Sequence, residues 1–329
     1  MADPGGGGGL GKERRRSPQG GPVSRLGVGG LLLAVIFPFL AGFHPYYLYL
    51  LGTGFLLASL ASAWGLLAYA GQISFGHAAF FGVGAYTTAL LALELGVTPW
   101  LGILIAGGAG ALAALPIGAA AHLLRGAYLA LGSLAYAELL RVLALNWTGL
   151  TGGGAGLIGL PGLHLGGELE FARERAGGYY LSLAVLLLAL AVFALLRRSR
   201  VGLAWAAIRE REERAQLLGV SPTRYKLLAF ACSGALAGLV GALYAHAVRF
   251  IEPDLVFGRY FSILPLIMAT FGGLHTLLGP PAGALVLYLV SELLFHPLLP
   301  RLHQLPYALA LIGVVFFLPR GLAGLLGRR

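Results

Sequence analysis

The sequence predicts an all-α polytopic membrane protein of about ten transmembrane helices, with eight as the lower bound, on three observations. Of the 329 residues, 58% are hydrophobic and 11% charged, and the mean hydropathy is +0.82; a water-soluble domain carries roughly a quarter charged residues. The apolar residues fall into long uninterrupted runs. The charge gathers in one island between two such runs, from Arg197 to Lys226, which must face water.

Taken in order, residues 1–25 hold a glycine run and Lys12, Arg14, Arg15 and Arg16, so they read as a disordered basic tail with too little apolar surface to fold. Residues 26–320 form the membrane domain. Its predicted crossings are 26–43, 46–70, 77–95, 99–124, 127–145, 179–196, 227–250, 260–273, 277–295 and 305–318. A helix needs about 20 apolar residues to cross squarely, so 260–273 and 305–318 are short for full spans. A Gly-rich polar loop occupies 146–178, and a basic tail, 321–329, closes the chain.

Ten crossings put both termini on one side. With the N-terminus in the cytoplasm, 17 of the 23 lysines and arginines lie there, among them Arg125 and eight in the island. The positive-inside bias therefore sets the island inside. The net charge of +10 follows from this topology; no basic patch interleaved with aromatics points to nucleic acid. A single cysteine, Cys232, excludes an intrachain disulfide and a cysteine-rich metal site.

Within the island, Ala204, Trp205, Ala206, Ala207 and Ile208, then Leu217, Leu218 and Val220, predict one short amphipathic helix stopped by Gly219 and Ser221-Pro222. From charge alone this is either an ordinary positive-inside loop or a lever on which a cytoplasmic motor acts. Trp205, Ile208, Arg209, Glu210, Glu212, Glu213 and Gly219 are the candidate coupling residues.

Ionisable groups inside spans cost about 2.5–3.5 kcal/mol each, so each needs a reason. Glu138 and Arg141 stand three apart on one helix and can neutralise each other, which is the leading reading over a place in a substrate path. Glu94, Arg249 and Glu292 lie near span ends, where they can reach water. The polar knot Gly71-Gln72-Ile73-Ser74-Phe75-Gly76, followed by His77, has two placements open: a cytoplasmic hairpin, or a broken helix lining a path. Gln72, Ser74, His77, Glu138, Arg141, Asn146 and Thr151 are the candidate path residues. Gly107, Gly108 and Gly110 in one span, and Gly234, Gly238 and Gly241 in another, predict close helix contact. There is no Walker A sequence and no serine-nucleophile turn, so the chain is expected to be no enzyme and to hold no cofactor.

Residues 71–86, Gly-Gln-Ile-Ser-Phe-Gly-His-Ala-Ala-Phe-Phe-Gly-Val-Gly-Ala-Tyr, resemble the signature of LivM-type permease subunits of branched-chain amino-acid ABC importers. Three further blocks are similar to that family in the same order: Leu134 to Glu138 with Arg141, Asn146 and Trp147; Leu150 to Gly153 with Gly156, Leu157 and Gly159 to Pro161; and Ala207 to Glu210 with Gly219 and Lys226 to Phe230. The chain departs from the family at Arg211, Arg214 and Gln216. It also has His275 where the family has glycine, which puts tight backbone packing there in doubt.

The resemblance implies the larger, type II-like ABC importer permease fold, in a bacterial inner membrane with both termini cytoplasmic. It implies a second, LivH-type permease, two cytoplasmic ATP-binding subunits and an external solute-binding protein as partners besides membrane lipid, with ATP held by the ATPases. The implied activity is uptake of branched-chain or other hydrophobic amino acids. A permease of the same scaffold for urea or short amides, and a secondary transporter or channel, are the alternative readings.

Overall fold

The computed structural model describes residues 22–40, 42–163, 175–298, 305, 307–309, 312–313 and 321–326. Helices dominate: α1 Pro22–Leu40, α2 Pro45–Tyr69, α3 His77–Glu94, α4 Pro99–Ala120, α5 Ala127–Asn146, α6 Thr148–Thr151, α7 Arg175–Arg198, α8 Arg200–Glu210, α9 Glu212–Leu217, α10 Pro222–Val248, α11 Pro253–Val256, α12 Arg259–Gly272 and α13 Gly279–Val290. A π turn, Ser291–Phe295, joins α13 to α14, His296–Leu298, and α15 is Gly321–Leu326. One departure from an all-α chain is a short antiparallel ladder of β1, Leu157–Ile158, with β2, Phe250–Ile251.

Six helical stretches among the described residues are long and apolar enough to cross a membrane: Pro45–Tyr69, Pro99–Ala120, Ala127–Asn146, Ala176–Arg198, Pro222–Val248 and Pro253–Gly272. The last adds α11 to α12 and reaches 20 residues, with a break at Gly258, whose ψ of 151° is extended. Neighbour pairings give the directions. Gly52 lies by Tyr179 and Tyr69 by Phe193, so α2 and α7 run parallel; Gly65 meets Pro280 and Gly54 meets Tyr288, so α2 and α13 run antiparallel. The chain thus alternates between an island end and the end opposite it, labelled the outer end for its distance from the island. Tyr307 sits beside Ser291 and Glu292 at the outer end, whereas Gly321 is back against Gly273 at the island end. Most of 305–318 lies outside the described residues, as do most of the tail 1–25, the stretch 164–174 of the Gly-rich loop, and 327–329. Two boundaries move: α1 begins at Pro22, where proline suits a first helical position, and Gly321–Leu326 is helical rather than plain tail.

Lipid tails are as apolar as leucine, so helices associate through close packing rather than through escape from water. The glycines make this visible. A Cβ on Gly110 would stand 2.4 Å from the Gly234 carbonyl oxygen, and one on Gly238 would stand 2.5 Å from that of Ala106, bringing α4 and α10 backbone to backbone. Gly84 of α3 meets Gly238 and Gly241 meets Phe81, so α10 is gripped from a second side. Gly108 faces open space and takes no part. The hairpin of α12 and α13 is as tight, with Gly272 against Gly279 and Gly283 against Met268. His275, where the sequence puts tight packing in doubt, is largely exposed, and the close contact beside it is made by Gly272, Gly279 and Gly283.

Candidate functional site

The island begins inside α7, whose last turn holds Arg197 and Arg198. Ser199 ends it and caps α8, its Oγ accepting from the Val201 N–H at 3.1 Å. The single amphipathic helix expected here is instead two. Arg211 is extended, with φ −155° and ψ 105°, and α9 restarts with Glu212 and Glu213 in its first turn, where the helix dipole favours acids. The Gly219 N–H donates to Gln216 O at 2.9 Å and that of Val220 to Ala215 O at 3.0 Å, closing α9 with Gly219 at φ +81°.

One face of this bent segment is anchored. Trp205 is fully buried and its Nε1 donates to Tyr225 O at 2.8 Å; Ile208 is buried beside it. Arg209 lies over the Tyr69 ring at 5.0 Å, and its Nη1 donates to Tyr69 O at 3.3 Å. Glu212 turns inward to Lys226 of α10, which also donates to Ala121 O beyond α4. Partial burial and the nearby Arg209 charge hold the His275 imidazole below its usual range. The other face is bare: Leu203 is 71% exposed, Leu217 88% and Leu218 81%, with Glu210, Arg211, Glu213, Arg214 and Gly219 around them.

The polar knot is a turn between α2 and α3 whose polar side chains are buried in the bundle. It starts at the island end, where Gly71, at φ +77°, fits against the Arg209 backbone. It then dips into the bundle, because His77 Nε2 pairs with Ser233 Oγ at 2.9 Å, about three turns into α10. Ser233 donates to Ala63 O, so His77 carries its proton on Nε2. The backbone groups freed by the break find hydroxyls. Phe75 N donates to Ser133 of α5 at 2.8 Å, Ala78 N to Ser262 of α12 at 3.1 Å, and Gly76 N to Ser74 at 3.1 Å; Trp64 Nε1 holds Ser74 O at 2.8 Å. Gln72 is buried nearby, bonded to Ala70 O.

At the outer end, Glu138 accepts from Arg141 Nε at 3.0 Å and from Nη2 at 2.5 Å, as the spacing predicts. Arg141 Nη1 also binds Asp254 of α11. Asn146 bonds back to Val142 O and is exposed; Thr151 is buried against Trp147 O at 2.8 Å, tying the Gly-rich turn to α5. Gly152 and Gly156, both at positive φ, let that turn close on Ile251 and Glu252.

A family model described as branched-chain amino acid transport system / permease component matches residues 46–318, most of the chain and every element above except α1 and α15. The chain belongs to this permease family. It is similar to the high-affinity branched-chain amino acid transport system permease protein LivM of Salmonella typhimurium and to that of Escherichia coli, 34% identical over 247 residues in each case. The match covers 68% of this chain and 57% of either relative, so the chain spans little more than half the length of the curated relatives it matches. No solved structure matches it.

In this permease component the candidate residues fall into three separate groups. The coupling set splits by face: Trp205, Ile208 and Glu212 point into the bundle, whereas Glu210, Glu213 and Gly219 stand outside. Gln72, Ser74 and His77 lie in the interior, and Glu138, Arg141, Asn146 and Thr151 near the outer end. None of these seven lines the cavity of about 130 Å³ between α2, α7 and α10, which Thr53, Tyr179, Ser182 and Leu243 border. The sequence reading missed Asp254, the bond of Lys226 to Ala121, and the serines Ser133, Ser233 and Ser262 that serve the knot. Each depends on a partner far along the chain.

Proposed function

We propose that this permease component is the membrane-spanning part of an ATP-driven importer of branched-chain or other hydrophobic amino acids. The observation that carries the reading is the segment α8–α9. It is rigidly keyed into the bundle by Trp205, Arg209 and Glu212, yet turns an apolar and charged face outward at the end where the positive-inside bias places the cytoplasm. Such a face suits a cytoplasmic ATP-binding subunit. Leu203, Leu217 and Leu218 supply the apolar contact, and Glu210, Glu213 and Arg214 a charged rim.

In this reading the nucleotide is bound and hydrolysed by two partner ATPases, a second, LivH-type permease completes the path, and an external binding protein delivers the solute to the Gly-rich outer loop. Both termini are cytoplasmic in a bacterial inner membrane. ATP binding shifts the access state through differential contact with α8–α9, and the solute itself undergoes no covalent change. Among the six long apolar stretches α5 is the least buried, so its uncovered face is where the second permease would sit.

Reconstitution tests this. Proteoliposomes holding the chain, the second permease and the ATPases, supplied with loaded binding protein, are expected to accumulate labelled leucine only when ATP is present on the ATPase side. Accumulation without nucleotide or ATPases would instead make the chain a secondary transporter or channel.

A further inference from the structure

Three charged side chains from two elements meet at the outer end, Glu138 and Arg141 of α5 and Asp254 of α11, and Tyr86 of α3 lies near Asp254. Arg141 lies a little over one turn from the end of α5 and Glu138 about two turns. Both are only partly covered, on a helix that the rest of the chain leaves largely bare. Charges so placed are unsuited to hydrocarbon. Arg141 uses Nε and Nη2 on Glu138 and Nη1 on Asp254, so two carboxylates share one guanidinium and the trio carries a net charge of −1. Tyr86 adds an independent sign. It is 5% exposed and stacks on Phe257 at 5.8 Å, its charged neighbours are Glu252 and Asp254, and its hydroxyl has no hydrogen-bond partner among the described residues. A buried phenol left in that condition is suited to a state in which a partner is supplied.

We propose that Tyr86, Glu138, Arg141 and Asp254 form a receiving station for the charged end of a free amino acid, a zwitterion bearing an ammonium and a carboxylate on one carbon. The station rests on the import reading above and adds to it the residues that take the solute. The carboxylate of the solute displaces Asp254 from Arg141, whose planar fork matches a carboxylate in two bonds. The ammonium is taken up by the freed Asp254 and by Glu138, and the Tyr86 hydroxyl gains an acceptor. Each charge exchanges one partner for another, so none is left unpaired and the solute is held weakly enough to move on. The apolar side chain of the solute takes no part, which fits a station serving several hydrophobic amino acids.

The test uses the full complex in proteoliposomes with leucine-loaded binding protein at saturation, reading both ATP hydrolysis and leucine uptake. Arg141→Gln is expected to keep stimulated hydrolysis but to lower leucine moved per ATP by about tenfold or more. Arg141→Lys keeps the charge and can still tie α5 to α11, but lacks the fork; it should show the same loss. Tyr86→Phe should give a smaller fall in the same ratio. Wild-type uptake per ATP in Arg141→Gln would overturn the proposal. So would full rescue by Arg141→Lys, or a fall in hydrolysis, uptake and melting temperature together, which would make the trio a staple only. A wild-type complex that moves no amino acid would instead overturn the import reading, and the station with it.

Discussion

Lys226 Nζ stands 2.9 Å from each carboxylate oxygen of Glu212 and 2.9 Å from the carbonyl oxygen of Ala121, with the lysine only 2% exposed. One ammonium thus ties α9 to the start of α10 and to the end of α4. Arg125 Nε, at 3.9 Å from Glu212, is a second cation for the acid but not for the lysine.

That asymmetry sets the order of damage. Breaking a buried ion pair costs about 3–5 kcal/mol when the remaining charge has no other partner. Glu212→Ala leaves Lys226 buried with a lone carbonyl and should approach that cost. Lys226→Met leaves Glu212 partly exposed beside Arg125 and should cost less. The double exchange Glu212→Lys with Lys226→Glu should fail to rescue, because a carboxylate at 226 would face the Ala121 carbonyl. Thermal melting of the purified protein in detergent reads all three.

Close helix contact makes a sharp contrast between neighbouring glycines. Gly238→Ala places a methyl 2.5 Å from Ala106 O and should destabilise by about 1–3 kcal/mol or prevent folding. Gly108→Ala meets nothing within 4 Å and should stay within about 0.5 kcal/mol of the parent. Equal losses at the two positions would show that α4 does not meet α10 as described.

The hydroxyls around the knot should matter individually. Ser133→Ala strips the acceptor from Phe75 N, and Ser262→Ala that from Ala78 N; each buried amide left unpaired costs about 1–3 kcal/mol. Among the described residues Ser59 bonds only to Phe55 O on its own helix, so Ser59→Ala should cost under about 0.5 kcal/mol. Melting temperatures of the three single variants, compared side by side, check the ranking.

Orientation can be read chemically, because Cys232 is the one cysteine in the chain. In a Cys232→Ala background, a cysteine at Ile158, exposed at the outer end, should react with a membrane-impermeant maleimide in intact cells. A cysteine at Leu217 should react only in inverted vesicles. The reverse pattern would overturn the placement of α8–α9 and the direction of transport. Leu217→Asp with Leu218→Asp should also reduce co-purifying ATPase by about tenfold, since both side chains lie bare on the proposed contact face.

Much of the architecture was readable in one dimension because a membrane span must be locally complete. Its apolar residues are contiguous and its backbone bonds lie within the segment, so 46–70, 99–124 and 127–145 reappear as α2, α4 and α5 with shifts of a few residues at most. The Glu138–Arg141 pair was readable for the same reason, being one helical turn long. The hidden features are those whose partners are distant. Nothing near Arg141 in sequence announces Asp254, 113 positions away, and nothing near Phe75 announces Ser133, 58 positions away.

The sequence by itself determined that the chain lives in a membrane, where its long helices lie, and that one charged island must reach water; composition and contiguous runs decide these through local solvation. Only the tertiary structure decided which side of each element is occupied. It turned Glu212 inward and Leu217 outward, broke the island helix at Arg211, sent the knot from Gly71 down to His77, and chose Gly110 over Gly108 as the contact with α10. The physical reason is that direction depends on which distant backbone or charge stands within bonding distance, and linear spacing carries no record of it.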